Sequence, residues 1–169
     1  MANQIGAQSP TCRSAHVLIL GYGNPLRSDD GLGWQAAVQL FRANKSPDVQ
    51  VLPCHQLTPE LADPISKAAT VLFVDGSREG TAGEFRCEEL SWQRGSVTYT
   101  HDLSPGALLD LASQLYGCCP RAYLLTICGE CFVTGDTLSS SVSQQLPRLK
   151  ERVREIVAES LSDVVAASR

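Results

Sequence analysis

Apolar and polar positions along this chain fall into blocks that switch between the two periods of secondary structure. Residues 16–20 form a short apolar run that ends at Gly21, the pattern of a parallel strand buried on both faces. Leu32, Ala36, Ala37, Leu40 and Phe41 then recur at helical spacing and predict a first helix over residues 31–43. Residues 49–53 predict a second strand. Thr58 can cap a helix start, with Pro59 at the first helical position and Glu60 in the first turn, and Pro64 then bends or restarts that helix. Residues 70–74 are an apolar, β-rich run closing at Asp75-Gly76. Residues 83–90 alternate in part, through Phe85 and Cys87, which suggests an edge or antiparallel strand. Residues 103–116 read as a helix capped by Ser104 with Pro105 first, and residues 122–127 as another buried strand. A last helical pattern runs through Leu146, Leu149, Val153, Ile156 and Val157, with Leu161 one turn later and Pro147 starting or kinking it.

Strands separated by helices imply a single doubly wound, three-layer α/β domain. Its sheet is mainly parallel and twisted, of about five strands, with one antiparallel strand and helices on both faces. Residues 1–15 read as a leader, 16–162 as the domain and 163–169 as a tail. The chain has 169 residues, 43% of them apolar and 19% charged, the composition of an ordinary globular protein. A net charge of −4 argues against a nucleic-acid binder, which would carry a basic face. No apolar run is long enough to span a membrane, and residues 1–15 lack the hydrophobic core of a secretory signal, so a cytoplasmic location is expected. Seven cysteines at irregular spacing read as small buried hydrophobes in a reducing compartment.

Ligands of open α/β sheets collect beyond the carboxyl ends of the strands, where strand order reverses. Three loops there carry polar residues: the segment Gly21 to Gly33 after the first strand, Asp75-Gly76 after the third, and Tyr99-Thr100-His101-Asp102 before the Ser104 helix. The first is not a dinucleotide loop. Leu26 occupies the place of the third glycine, and Asp29 and Asp30 would repel a pyrophosphate. Carboxylates and an imidazole at strand ends suit a divalent metal with open coordination positions. Against that stand simpler roles: a helix cap for Asp29 or Asp30, a turn for Asp75, a solvated loop for His101. Two adjacent carboxylates exceed what one cap needs, so Asp30 is expected as the ligand and Asp29 as the cap.

Gly21-x-Gly23-Asn24-Pro25-Leu26-x-x-Asp29-Asp30-Gly31-x-Gly33 resembles the N-terminal signature of hydrogenase maturation endopeptidases. The resemblance continues through the run from His55 to Leu61, the Val74-Asp75-Gly76 strand end, Thr100-His101 and Gly129-Glu130, spanning residues 16 to 160. It implies a sheet with core order 2-1-3 and a metal-contacting set of Asp30, Asp75 and His101. It also implies an endopeptidase that removes the C-terminal extension of a nickel-loaded hydrogenase large-subunit precursor. The nickel would come with the precursor, and no tightly bound metal of the enzyme's own is expected. The His55-Gln56-Leu57 and Asp75-Gly76-Ser77 variants resemble those serving soluble NAD-linked hydrogenases. His55 reads as part of the precursor groove, with a metal contact as its alternative. Cys128-Gly129-Glu130-Cys131 has redox or zinc spacing, but the match at Gly129-Glu130 accounts for it without thiol chemistry. A non-catalytic metal- or partner-binding accessory protein remains the competing reading.

Overall fold

The structure, a computed structural model, describes residues 15–91, 103–118 and 120–167. Five strands, β1 (Ala15–Tyr22), β2 (Val49–Cys54), β3 (Ala68–Ser77), β4 (Phe85–Glu89) and β5 (Arg121–Cys128), form one sheet in the order β2-β1-β3-β5-β4. The first four in that order run parallel, and β4 pairs antiparallel with β5 at the edge. The 2-1-3 core is the one that the resemblance implies, and β4 is the edge or antiparallel strand that the partial alternation suggests.

Alternation along β1 decides the layers. Val17 and Ile19 point to one face and Leu18 and Leu20 to the other, and all four are buried. β3 repeats the division with Leu72 and Val74 against Val71 and Phe73. Helices α1 (Leu32–Ala43) and α4 (Ser140–Ala167) cover the first face. Helices α2 (Ala62–Ser66) and α3 (Pro105–Tyr116) cover the second. Each large apolar side chain buried in these two layers contributes about 1.5–3 kcal/mol, so the continuous apolar runs are what make β1 and β3 the centre of the sheet.

Local signals set most element ends. Ser104 caps α3 by accepting the Ala107 N–H at 3.1 Å, Pro105 takes the first position, and Gly117 ends the helix in the left-handed region at φ 69°. A 3-10 turn at Ser28–Gly31 precedes α1, which therefore starts at Leu32. Thr58 makes no side-chain cap; a 3-10 turn at Pro59–Leu61 leads into α2, and Pro64 sits inside it.

Pro147 neither starts nor ends a helix: α4 begins at Ser140 and runs through it to Ala167, into the residues read as a tail. Val142, Leu146, Leu149, Val153 and Ile156 form an unbroken buried stripe along α4. Their burial outweighs the cost of about 3 kcal/mol for an interior proline. Ser143, whose carbonyl loses its partner, is exposed, as is Pro147, so water can satisfy that group.

After β1 the chain moves outward to β2, then returns across β1 to β3. Strand order thus reverses between β1 and β3, and the loops beyond their carboxyl ends frame a crevice.

Candidate active site

Gly33 lets α1 start hard against the sheet at this crevice. A Cβ there would run into the carbonyl oxygens of Val74 and Tyr22, so any larger residue would push the helix and the loop before it outward. Gly23 turns the chain at φ 130°, a conformation that L side chains rarely adopt, and passes close to the Asp30 carbonyl. The glycines of the signature thus hold the loop from Tyr22 to Leu32 close to the ends of β1 and β3.

Asp29 is not the cap of α1. It is fully buried, and its carboxylate accepts the backbone N–H groups of Glu130 at 2.9 Å, Cys131 at 2.9 Å and Ser139 at 2.7 Å. Neither α1 nor the turn before it has a side-chain cap. Burial alone would raise the Asp29 pKa, but the bonds from Ser139, Cys131 and Glu130 prevail and hold it below the ordinary carboxylate value. The residue is a latch that ties the loop after β5 to the loop after β1. Further bonds close the latch: Ser28 N–H to the Gly135 carbonyl at 2.8 Å, Asp29 N–H to Cys131 at 2.9 Å, and Gly135 N–H to Leu26 at 3.0 Å. The Gly129-Glu130 segment belongs to this contact, since a Cβ on Gly129 would meet the Asp29 side chain.

Asp30 faces the crevice instead. Its half-buried carboxylate accepts the Asn24 N–H at 3.1 Å, and the Asn24 side-chain oxygen in turn accepts the Leu26 N–H at 3.0 Å. Asp75 closes β3 opposite, accepting the adjacent Gly76 N–H at 2.7 Å. The register Gly21↔Val74 brings Tyr22 beside Asp75, and its phenol hydrogen-bonds toward that carboxyl. Burial pushes the Asp75 pKa up to about 6. The Tyr22 and Gly76 bonds pull it down, and the charge of Asp30 adds to the rise. Burial and the neighbouring Asp75 charge raise the Tyr22 phenol far above its usual value, so it stays protonated and acts as a donor. Two carboxylates therefore share a crevice in which their charges repel, an arrangement that a cation would relieve.

His101 lies outside the described residues. Beyond the undescribed segment, α3 starts at Pro105 and ends just before β5. Among the described residues no group of three His, Cys, Asp or Glu side chains is gathered to hold a metal. His55 is exposed just beyond β2. Cys128 is buried, Cys131 half-buried, and both are free thiols. Sequence reasoning missed Tyr22. The signal was present in the alternation Leu18, Leu20, Tyr22, which puts the phenol on the sheet face that Asp75 shares with Phe73.

No protein-family model and no curated protein matches this sequence. Solved structures do match the fold. The NiFe hydrogenase maturation protease HycI from Thermococcus kodakarensis KOD1 is 26% identical, with a TM-score of 0.69 over 85% of this chain and 93% of its own. The hydrogenase maturating endopeptidase HybD from E. coli is 22% identical, with a TM-score of 0.68 over 86% of this chain and 93% of its own. A NiFe hydrogenase maturation protease HybD from Thermococcus kodakarensis is 21% identical, with a TM-score of 0.63 over 83% and 98%. The last two speak for the fold alone; the first adds similarity in sequence. No helix among the described residues is long and apolar enough to cross a membrane. The glycine–aspartate signature stands at the switch point of that shared sheet, and in fold and signature this chain resembles the hydrogenase maturation proteases, a family of peptidases.

Proposed function

We propose that this protein is the endopeptidase that removes the C-terminal extension of a nickel-loaded hydrogenase large-subunit precursor, and that it recognises the precursor by its nickel. Asp30, Asp75 and His101 complete the coordination of that ion, and the shared ion positions one peptide bond of the precursor in the crevice. The observation that carries this reading is the Asp30–Asp75 pair. The Asp75 carboxyl is half-buried, raised to about 6 and pressed by a second carboxylate, so a divalent cation there gains two oxygen donors and removes their repulsion. The ion belongs to the substrate, and three donors on separate loops make an open, weak site without it. On the His55-Gln56-Leu57 and Asp75-Gly76-Ser77 resemblance, the partner is the precursor of a soluble NAD-linked hydrogenase, and the reaction takes place in the cytoplasm.

The test is processing of a purified large-subunit precursor from the same genome, prepared with and without nickel and read as a mass shift. The nickel-loaded form is cut and the metal-free form is not. Asp30→Asn, Asp75→Asn and His101→Ala each abolish cleavage while unfolding stays cooperative. Chelation of the enzyme alone shifts its Tm by less than about 1 °C, since a weakly held ion adds little stability. Rapid trimming of a metal-free precursor by chelator-treated enzyme would sink the nickel-recognition reading.

A further inference from the structure

Tyr22 stands where the core of the second face gives way to the crevice. Leu18, Leu20 and Tyr22 share that face, and the half-buried ring packs against the cluster that Leu18, Leu20, Leu57 and Phe73 help to build. On one side its strand partner is Cys54, at the end of β2, and on the other the Gly21↔Val74 register sets it beside Asp75. The Cys54 thiol turns to the Gly21 carbonyl at 3.7 Å, and burial pushes its pKa up, so it stays protonated. Among the described residues, Asp75 is the acceptor that the phenol meets. A phenylalanine would fill the same place against the core, so packing alone gives no reason for the hydroxyl.

Asp75 has a reason to turn away from the crevice. Its carboxylate faces the like charge of Asp30, and repulsion favours any rotamer that moves the two apart. The Gly76 N–H, at 2.7 Å, holds only Oδ1. The phenol adds a second donor from a different strand, fixed in direction by the packing of its ring. A carboxylate held by donors from two strands keeps one orientation before any ligand arrives. Tyr22 thereby offsets the repulsion that the Asp30–Asp75 pair brings to the site.

We propose that Tyr22 is a positioning residue for Asp75: its phenol holds that carboxylate beside Asp30 in the orientation that meets the nickel of the precursor. This rests on the proposed function above for the identity of the ion, and it gives Tyr22 no part in the chemical step. The test variant is Tyr22→Phe, which keeps the ring and removes only the donor. NMR couplings across the Asp75 Cα–Cβ bond report its rotamer in the free protein. They show one rotamer in the wild type and an average over several in Tyr22→Phe, while Tm changes by less than about 5 °C. Calorimetric titration with the nickel-loaded large-subunit precursor gives a Kd weakened by about tenfold, the effect of removing the partner that orients a metal-binding carboxylate. The metal-free precursor shows no such difference between wild type and variant, and in cleavage the loss falls on KM rather than kcat. An Asp75 side chain that stays in one rotamer in Tyr22→Phe overturns the proposal, as does a wild-type Kd for the nickel-loaded form. An equal loss against both forms of the precursor means that Tyr22 acts on the polypeptide and overturns it as well. A wild-type protein that does not distinguish the two forms defeats the nickel-recognition reading alone, and the couplings then decide whether Tyr22 holds Asp75.

Discussion

Asp29→Asn separates two roles for the first of the adjacent carboxylates. As a helix cap, Asp29 would be worth about 1 kcal/mol, and an asparagine caps nearly as well as an aspartate. As the latch described above, it does more. Its carboxylate accepts three backbone N–H groups, from Glu130, Cys131 and Ser139, at 2.7–2.9 Å in a fully buried position. An asparagine offers one oxygen. It can keep the two bonds on one side as neutral bonds, each weaker by about 1 kcal/mol, while its amide group meets the remaining N–H donor to donor, at about 1–3 kcal/mol. The sum is about 3–5 kcal/mol, which for a chain of this size lowers Tm by about 6–20 °C. The same loss appears locally as faster hydrogen exchange at the amides of Glu130, Cys131 and Ser139, by about a hundredfold or more. The Asp29 carboxyl is held below its ordinary value, so its contribution is present above about pH 4 and fades as pH falls through the folded value. A Tm within about 3 °C of wild type, with exchange at the three amides changed by less than about tenfold, would refute the latch and return Asp29 to the helix.

Asp75→Asn should stabilise the protein while removing its activity. The Asp75 pKa is raised to about 6, so its favourable contribution is present below about pH 4 and is lost as pH rises through 6; at pH 7 the charged form costs the fold about 2–3 kcal/mol. Urea unfolding at pH 4.5 and pH 7.5 should show that penalty in the wild type and not in the variant, and equal pH dependence in both would contradict it. Cys128→Ser combined with Cys131→Ser should still process precursor, at a stability cost below about 2 kcal/mol from the buried Cys128; a well-folded double variant without activity would bring the thiols into the reaction.

Much of this fold is written in local pattern. β1 and β3 are apolar on both faces, so they read as central strands, and the Ser104-Pro105 start of α3 and the partial alternation of β4 appear as expected. Of the two readings at Pro147, a helix start or a kink, the start is overturned, because the helix begins at Ser140 and a buried stripe runs on either side of the proline. Propensity at one residue lost to packing summed over five. The Asp29 latch was out of reach for another reason. Its partners are 101, 102 and 110 residues away along the chain, and nothing around Asp29 marks them. Only the match of both the first loop and Gly129-Glu130 to one family hinted that the two segments meet.

The division of labour between Asp29 and Asp30 follows from the 3-10 turn that carries them. Successive residues of such a turn point about 120° apart, so neighbours in sequence cannot share an environment. One side of the turn faces the loop after β5, and the other faces the end of β3. Asp29 meets backbone donors that neutralise it, which fixes the turn and with it the direction of Asp30. Asp30 meets a single backbone N–H and a second carboxylate, which leaves its charge available. An α-helical start would have rotated the pair by a different angle, and a one-residue shift in the turn would have buried Asp30 and exposed the latch. The signature therefore needs both aspartates in this order: the first holds the loop so that the second stands beside Asp75.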